Sequence, residues 1–331
     1  MTTTEQTAQA TQLLELLADG RFHSGSELAE AFGWTRAGLW KLVERLRAQG
    51  VPVEAVKGKG YRLPEPVELL DAATISELLG PVHRIPVRTE LVSTSTNSAL
   101  LALARAGHTE PQALLAEIQN AGRGRWGRPW FAEFGAGLCV SVLWNFSLLP
   151  AGLAGLSLAC AVELAAALRG LGAPVDLKWP NDLISARGKL GGLLIELVGE
   201  PAGPCTVVIG LGLNLRLPQA LRAAVDQPVA CLADLAPQLA GQRNLIAASV
   251  IRALVTACVN FAERGFAPYQ ARWSEFDAYQ GKQVVMLLPD RQVEGVVTGV
   301  DGQGALCLES ADGVRQFFSG DLRLKLRWEG V

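Results

Sequence analysis

The feature that most restricts how this chain can fold is a long segment without a charged residue, which runs over residues 134–162. A helix of this length could cross a bilayer. Several glycines, together with Asn145 and Pro150, interrupt the segment. The sequence therefore predicts a buried strand over 138–144, a turn and a buried helix over 151–168, with a membrane span as the less favoured alternative.

Burying such a segment requires a large core, and the composition supplies one. The 331 residues are 49% hydrophobic and 19% charged, as is typical of a globular protein, and their number predicts two or three domains. The start of the sequence has no basic region followed by an apolar core, which a secretory signal would have. The six cysteines form no pair with metal-ligand or redox spacing. We therefore expect a cytoplasmic protein with no membrane partner, whose cysteines are reduced and mostly buried.

Residues 7–63 have the caps and spacings of three helices followed by a hairpin. The apolar face of the first helix would consist of Leu13, Leu14, Leu16 and Leu17. A capping box of Ser24 and Glu27 starts a second helix, Gly33 turns the chain, and Thr35 caps a third helix that ends at Gly50. Two helices joined by a tight glycine turn are a helix-turn-helix, and the KGKG loop that follows predicts a hairpin wing.

Basic residues concentrate in this module, although the whole chain has a formal net charge of −2. Over residues 34–63, seven basic residues against two acidic ones give a local charge of +5. Such a face can neutralise DNA phosphates while the third helix enters the major groove. The residues predicted to contact DNA are Thr35, Arg36, Lys41, Arg45, Lys57 and Lys59. The alternative is a protein-docking module with solvated charges, because the same helix geometry also occurs without DNA.

The pattern changes after Pro64 and again near Gly281. Between these points, apolar runs alternate with helical stretches, which predicts a mixed α/β domain with one large sheet. The tail consists of short alternating runs separated by turn residues, and it predicts about five strands of a small SH3-like barrel. The predicted fold is thus α+β, with domains over 1–64, 65–276 and 277–331.

The densest chemical signal is the sequence GRGRWGR at 122–128, which formally matches the GxGxxG motif of dinucleotide sites. That motif should open a helix and meet an acidic residue about twenty positions later. Here Pro129 follows directly, and the later region is uncharged. Glycine lets backbone approach phosphate, and arginine donates bidentate hydrogen bonds. The segment therefore predicts a mobile loop that closes over an anion, and the alternative is an exposed loop with solvated arginines.

The second signal is KWPND at 178–182, followed by GKLGG at 188–192. Lys189 lies between glycines before an apolar run, where its charge can sit beside phosphate and carbonyl oxygens. Asp182 or Asn181 could supply oxygen ligands to magnesium, and the alternative is a plain turn and hairpin. The three histidines lie away from both motifs, and neither a GxSxG elbow nor a P-loop occurs. These absences argue against hydrolases and P-loop enzymes.

Together these pieces resemble the bifunctional biotin–protein ligase and biotin-operon repressor family. The likeness covers nearly the whole chain, through the motifs HSGSELAE, GKGYRLPEP, STNSAL, QNAGRGRWGRPW, KWPNDL, GKLGGLLIEL, GLGLNL and APYQARW. It implies a central domain of the class II biotin/lipoate ligase type. It also implies that ATP activates biotin as biotinyl-5'-AMP, and that biotin then passes to a lysine of the biotin carboxyl carrier protein of acetyl-CoA carboxylase.

The resemblance also implies which residues form the site. Biotin would contact Ser95, Thr96, Asn97, Gln119, Gly122, Arg123, Gly124, Arg125, Trp130, Lys189 and Gly192. The nucleotide would contact Arg125, Arg128, Lys178, Asn181 and Asn214, with Mg²⁺ at Asp182. Lys189 and Arg125 would be catalytic, because both reactants of the first step are anions.

Two positions depart from the family pattern. Thr94 stands where the family often has an acidic residue, and no tryptophan occurs over 227–232, where some relatives carry an adenine-covering loop. Neither role is carried over to this chain.

Regulation would follow if the adenylate favours a homodimer, because paired winged helices can hold two half-sites of operator DNA. Two alternatives stay open at this point. One is a ligand-sensing repressor without ligase activity, and the other is a lipoate or octanoate ligase of related fold.

Overall fold

The computed structural model describes residues 3–199, 203–217 and 228–324. Its first module consists of three helices and a two-stranded wing: α1 (Thr3–Leu17), α2 (Gly25–Ala31), α3 (Arg36–Ala48), β1 (Glu54–Val56) and β2 (Gly60–Arg62). The two wing strands are antiparallel. The winged helix-turn-helix predicted from the sequence is present.

Local capping explains where the helices of this module begin. Ser24 accepts a hydrogen bond from a backbone N–H at the start of α2, and Thr35 Oγ1 accepts one from Gly38 N at 3.0 Å at the start of α3. Gly33 has a φ of +64°, which suits the tight turn between these helices. The predicted face of α1 was wrong at Leu16, which is 39% exposed. The core takes Leu13, Leu14 and Leu17 instead, because these lie on one helical stripe.

The central domain is built on a large sheet with the strand order β3-β4-β6-β10-β9-β8-β7, and β5 pairs with β4. Strands β3 and β4 are parallel, and the other neighbours are antiparallel. The strands are β3 (Val87–Ser93), β4 (Gln112–Arg123), β5 (Pro129–Ala132), β6 (Gly137–Phe146), β7 (Asp176–Lys178), β8 (Asp182–Ser185), β9 (Gly188–Gly199) and β10 (Cys205–Asn214). The helices are α4 (Ala72–Leu79), α5 (Thr96–Arg105), α6 (Leu156–Gly170), α7 (Leu232–Leu235), α8 (Arg243–Arg264) and α9 (Ala267–Phe276).

The uncharged segment forms the middle of this domain, as strand β6 between β4 and β10 and then helix α6. The helix begins at Leu156 rather than at 151, because Gly155 has a φ of +83° and a short 3-10 helix precedes it. The segments 150–170 and 243–264 are long and apolar enough to cross a membrane by length and composition. Most of their length is buried inside the protein, as in the core helices of a globular domain.

The tail forms five antiparallel strands, as predicted: β11 (Gln283–Leu287), β12 (Gln292–Val300), β13 (Leu306–Ser310), β14 (Gly313–Phe317) and β15 (Asp321–Leu324). Its apolar residues belong to the same core cluster as α6 and α8. Trp179 of the central domain donates from Nε1 to Gly304 O at 3.1 Å. No disulfide joins the six cysteines, all of which lie within the described residues, and five are buried as expected. The domain limits at 64 and 276 stay predictions.

Three consecutive residues of β4 reach three different parts of the protein. Glu117 accepts a hydrogen bond from Leu70 N at 2.6 Å, in the segment that leads out of the wing. Ile118 belongs to the core cluster of the winged-helix module. Gln119 accepts a hydrogen bond from Thr96 N at 2.8 Å, at the start of α5. A single strand therefore joins the first module, its linker and α5.

Candidate active site

A cavity of about 1050 Å³ opens where the central sheet meets the five-stranded tail. Its lining contains Arg123, Arg125 and Arg128 of the GRGRWGR segment together with Lys189 of the GKLGG segment. The predicted biotin, nucleotide and metal residues all line it except Gly122. Lys178 and Arg323 line it as well, so the described residues place four guanidinium groups and two ammonium groups around one space large enough for two small-molecule substrates.

One end of the cavity is a buried polar network at the start of α5. Ser95 caps this helix by accepting a hydrogen bond from Ser98 N at 3.4 Å. Ser141 Oγ lies 2.7 Å from Thr96 Oγ1 and 2.6 Å from Asn97 Oδ1. These interactions hold side chains that are almost fully buried in fixed positions, so their remaining donors and acceptors form a preorganised polar surface.

Two glycines of β10 form the floor beneath these side chains. A Cβ atom at Gly210 would lie 2.1 Å from Asn97 Oδ1, and one at Gly212 would lie 2.2 Å from Trp130 Cε2. Any side chain there would displace Asn97 or the Trp130 ring. These glycines and Ser141 were not among the site residues predicted from the sequence. The alternation GLGL was the available signal, because residues two apart share a face of a strand.

The GRGRWGR segment is the tip of the β4–β5 hairpin, where the sequence predicted a loop. Gly122 pairs with Trp130, and a 3-10 turn spans Arg125–Gly127. A Cβ atom at Gly122 would lie 2.5 Å from Trp130 O, so this glycine permits the strand pairing and does not line the cavity. Trp126 has a φ of +61°, the one positive value for a non-glycine residue in the described part of the chain. This backbone region is costly for a bulky side chain, so the tip stores strain beside the cavity.

The arginines at the tip have different partners. Arg123 donates to Ser98 Oγ at 3.0 Å and lies 3.5 Å from Glu196. Arg125 is half-buried, and Nη1 lies 3.5 Å from Gly320 O. Burial lowers the pKa of the Arg125 guanidinium, and the carboxylates nearby oppose this shift. Because Arg125 is the more desolvated cation, an anion in the cavity would interact with it more strongly than with a fully hydrated arginine.

Lys189 is fixed by its backbone as well as by its side chain. Its N–H donates to Pro228 O at 2.9 Å, and its C=O accepts from Ala230 N at 2.8 Å. Its Nζ lies 2.6 Å from Asp182 Oδ1. A Cβ atom at Gly192 would lie only 3.4 Å from Nζ, so this glycine leaves room for the ammonium group. One of its three donors is directed at Asp182, and the others are available to a ligand in the cavity.

Two predicted nucleotide residues hold the backbone around Lys189. Asn214 Nδ2 donates to Ala230 O at 3.1 Å and lies 3.5 Å from Lys189 O. Asn181 Nδ2 donates to Leu193 O at 2.5 Å and closes the KWPND turn onto β9. Both side chains line the cavity. The two amide hydrogens of Asn214 face protein oxygens, whereas Asn181 uses one of its two, so a nucleotide contact would use the carbonyl oxygen of Asn214 and either the carbonyl oxygen or the second N–H of Asn181.

The tail contributes Asp321, which the sequence analysis did not assign. It lies 3.3 Å from Arg128, 3.6 Å from Lys178 and 3.9 Å from Arg323. Burial alone would raise the pKa of Asp321, but these cations outweigh it and the pKa falls below the ordinary value of 3.8. Asp321 is therefore ionised at neutral pH and ties the tail to two predicted nucleotide residues.

Asp182 and Asp321 are the two carboxylates that line the cavity within the described part of the chain. Burial, followed by the charges of Asp182 and Asp321, raises the pKa of the neighbouring Tyr279. Within the described residues, no group of three histidine, cysteine or acidic side chains could hold a metal ion. Mg²⁺ commonly needs only one or two protein carboxylates when phosphate oxygens and water supply the rest. The site therefore fits magnesium that arrives on a nucleotide, and the contact predicted for Asp182 stays a prediction.

The predicted DNA-contacting residues of the first module are exposed, except Arg45, which is half-buried. Lys41, Lys57 and Lys59 are exposed, and Arg36 donates to Ser26 Oγ on α2. Arg47 pairs with Glu44 and Arg62 pairs with Glu54, so the two acidic residues of 34–63 are matched by arginines outside the predicted contact set. The positive charge predicted for DNA contact is therefore not neutralised by these two carboxylates.

Comparison with protein families identifies the class. The Biotin/lipoate A/B protein ligase family matches residues 90–214, an HTH domain matches 9–62, and the Biotin protein ligase C terminal domain matches 279–322. This order defines a biotin/lipoate-type protein ligase with an amino-terminal helix-turn-helix. The Bifunctional ligase/repressor BirA of Escherichia coli (strain K12) is 40% identical over 316 residues, which cover 95% of this chain and 96% of that protein. The chain belongs to this family of bifunctional biotin–protein ligases and repressors.

Two further relatives agree with this assignment. The Biotin--[acetyl-CoA-carboxylase] ligase of Mycobacterium tuberculosis is 36% identical over 231 residues, which cover 65% of this chain and 80% of that protein. A solved biotin protein ligase from Aquifex aeolicus, in complex with biotin and ATP, has a TM-score of 0.59 and 24% identity, and the match covers 72% of this chain and 98% of that one. This structural likeness supports the fold.

Proposed function

We propose that this protein uses ATP to activate the carboxylate of biotin as biotinyl-5'-AMP and then transfers biotin to a lysine of the biotin carboxyl carrier protein of acetyl-CoA carboxylase. The observation that carries the proposal is the shared cavity, because the arginines of the hairpin tip and Lys189 line one space. The names of the relatives at 40% and 36% identity support the same reaction.

In the first step, a carboxylate oxygen of biotin attacks the α-phosphorus of ATP, and pyrophosphate leaves. Both reactants are anions, so positive charge in a partly desolvated site lowers the barrier. Arg125 and Lys189 supply that charge, and magnesium would enter with the triphosphate. In the second step, the amine of the acceptor lysine attacks the carbonyl carbon, AMP leaves and an amide forms. The donors that Asp182 does not occupy on Lys189 can bond to the α-phosphate and to the carbonyl oxygen.

The polar end of the cavity suits the ureido ring of biotin, which presents one carbonyl oxygen and two N–H groups. Ser95, Thr96, Asn97 and Gln119 offer hydroxyl and amide groups there, several of which Ser141 and the backbone hold in place. The glycine floor and Trp130 suit the apolar remainder of the ligand. In this arrangement the carboxylate would point towards the hairpin tip and Lys189.

The floor gives a first prediction. Gly212→Ala should raise KM for biotin by about tenfold to a hundredfold, because the new methyl group displaces the Trp130 ring and small misplacements in a site have effects of this size. Steady-state pyrophosphate release at varied biotin concentration measures it. Gly170→Ala is the matched control, because a Cβ atom there would meet nothing within 4 Å. An unchanged KM in Gly212→Ala would contradict the placement of biotin on this floor.

Asp321 gives a prediction about pH. Its pKa is lowered, so the ion pairs that it forms stabilise the folded protein at pH values above its unfolded pKa and are lost as the pH falls through the folded value. Asp321→Asn should therefore lower Tm by a constant amount from neutral pH down to about pH 5, and the difference should shrink only in stronger acid. Thermal unfolding of both proteins across pH tests this. A difference that vanishes near neutral pH would show that Asp321 does not hold the tail in this way.

The ligase reaction is tested by incubating the protein with biotin, ATP, Mg²⁺ and a biotin carboxyl carrier domain. Mass spectrometry should show one biotin added to the carrier, and pyrophosphate should be released before the carrier is added. Lipoate offered in place of biotin should give neither product. If lipoate were the better substrate, the chain would be a lipoate ligase. If neither biotin nor lipoate led to pyrophosphate release, the protein would be a sensor without ligase activity.

We also propose that the cytoplasmic protein represses transcription as an adenylate-bound homodimer, because two winged helices can bind two half-sites together. The exposed lysines of α3 and the wing support this role. A mobility shift with DNA from upstream of the chain's own gene and of biotin-synthesis genes should depend on both biotin and ATP. A shift of equal strength without them would contradict regulation by the adenylate.

A further inference from the structure

The third helix of the winged-helix module exposes one large aromatic side chain. Trp40 is 55% exposed, whereas Leu39, Leu42, Val43 and Leu46 of the same helix are buried. The module therefore builds its core from the other face of α3, and most of the Trp40 surface is in contact with solvent. A tryptophan on a surface is a common anchor of binding interfaces, because it buries a large area and loses little conformational entropy on binding.

The surroundings of Trp40 define the chemistry of what it would contact. Ala37, one turn earlier on α3, is exposed and has only a methyl side chain, so a partner can approach the indole ring closely. Arg36 and Lys41 lie on the same exposed part of the helix, and Lys57 extends from the exposed wing. An exposed apolar side chain on a surface that also carries basic side chains suits a polyanion that presents an apolar group of its own.

DNA is that polyanion, and its major groove contains one apolar group. Each thymine presents a 5-methyl group there, and apolar side chains on recognition helices contact it. The residues near the beginning of a recognition helix are the ones that reach base edges. Trp40 lies near the beginning of α3, which starts at Arg36. The exposed lysines of α3 and the wing can contact phosphates, which fix register without reading sequence.

We propose that Trp40 determines the operator sequence by packing its indole ring against a thymine methyl group in the major groove. The inference rests on the proposed DNA-binding function and adds the residue that selects one base pair. It separates two roles within the first module, because Trp40 provides sequence preference and the lysines provide affinity that does not depend on sequence.

The first experiment selects binding sites from a pool of random double-stranded DNA with the full-length protein, biotin and ATP. The wild type should enrich a two-part motif that contains a fixed thymine in each half. Trp40→Ala should lose the preference at that position while keeping its affinity for unselected DNA. Lys57→Ala is the matched control, and it should weaken binding to all sequences alike and reduce the salt dependence. Thermal unfolding checks that both variants are folded.

The second experiment removes only the methyl group. Replacing the fixed thymine by deoxyuridine should weaken wild-type binding by roughly tenfold, within the range for losing one base contact, and should leave the affinity of Trp40→Ala unchanged. Equal loss in both proteins would overturn the proposal, as would selection of the same motif by Trp40→Ala. If the wild type selected no motif, the proposed repressor function itself would fail. If Trp40→Ala changed dimerisation and not base preference, the indole would belong to a protein interface.

Discussion

Replacing Lys189 by alanine is expected to lower the rate of adenylate formation by about 100- to 1000-fold, the usual effect of removing one group that stabilises developing charge in a transition state. The loss has two sources. The α-phosphate loses an ammonium donor, and Asp182, which lies 2.6 Å from Nζ, is left as an uncompensated anion facing the nucleotide. Single-turnover pyrophosphate release with saturating biotin and ATP measures the rate of this step.

Two further variants separate these sources. Lys189→Ala combined with Asp182→Asn should recover part of the rate, because the added repulsion is removed while the ammonium group stays absent. Arg187→Ala removes an equal charge two residues away, from a side chain that is exposed and outside the cavity lining, and it should form adenylate at the normal rate. Adenylate formation at the wild-type rate by Lys189→Ala would show that another cation carries the reaction.

The second large effect concerns stability. Glu117→Gln is expected to lower the free energy of unfolding by about 3–5 kcal/mol, because it leaves Arg243 charged and uncompensated in the core. The side chains of Glu117 and Arg243 are only 6% and 5% exposed, and Oε2 and Nη2 lie 2.7 Å apart. This contact is an ion pair that does not meet hydrogen-bond geometry. Glu117 Oε1 also accepts from Leu70 N, and the neutral amide oxygen of glutamine accepts this bond more weakly than a carboxylate does, so the linker after the wing should loosen as well.

Urea denaturation of the two proteins measures this difference. Glu44→Gln is the control, because its pair with Arg47 is an exposed i,i+3 contact, and it should change the free energy of unfolding by less than about 1 kcal/mol. Equal destabilisation by the two substitutions would contradict the assignment of Glu117 and Arg243 as a buried pair that anchors the linker. Limited proteolysis near residues 64–71 should show faster cleavage in Glu117→Gln alone.

The parts of the fold set by local interactions could be predicted from the sequence. Thr35 caps α3 and Gly33 permits the preceding turn, and both effects depend on residues a few positions away. The apolar runs around Leu115 and Val208 form central strands, because consecutive apolar residues suit a strand that is buried on both faces. The beginning of α6 was misplaced, since Gly155 breaks the helix with a left-handed conformation at a point where a Cβ atom would lie 2.6 Å from Phe266, and this ring comes more than a hundred residues later in the sequence.

The site divides in the same way. Lys189 and the arginines of the hairpin tip were recognisable because each lies in a short motif that combines glycine with positive charge. Asp321 and Ser141 were not, since each joins the cavity only after strands distant in sequence are brought together. The requirement for glycine at position 212 comes from the Trp130 ring of another strand, and a single sequence does not show that these two residues are in contact.

The three neighbouring residues of β4, Glu117 to Gln119, fix the position of the winged-helix module relative to the central domain. Glu117 and Gln119 project from one side of the strand and Ile118 from the other, as the pleat requires. Inserting or deleting one residue here would exchange the two faces, so Ile118 would leave the core of the winged helix and Glu117 and Gln119 would lose their contacts with Leu70 N and Thr96 N. Evolution can therefore lengthen the hairpin tip or the tail without disturbing the DNA-binding module, whereas the length of this strand is constrained by catalysis and repression together.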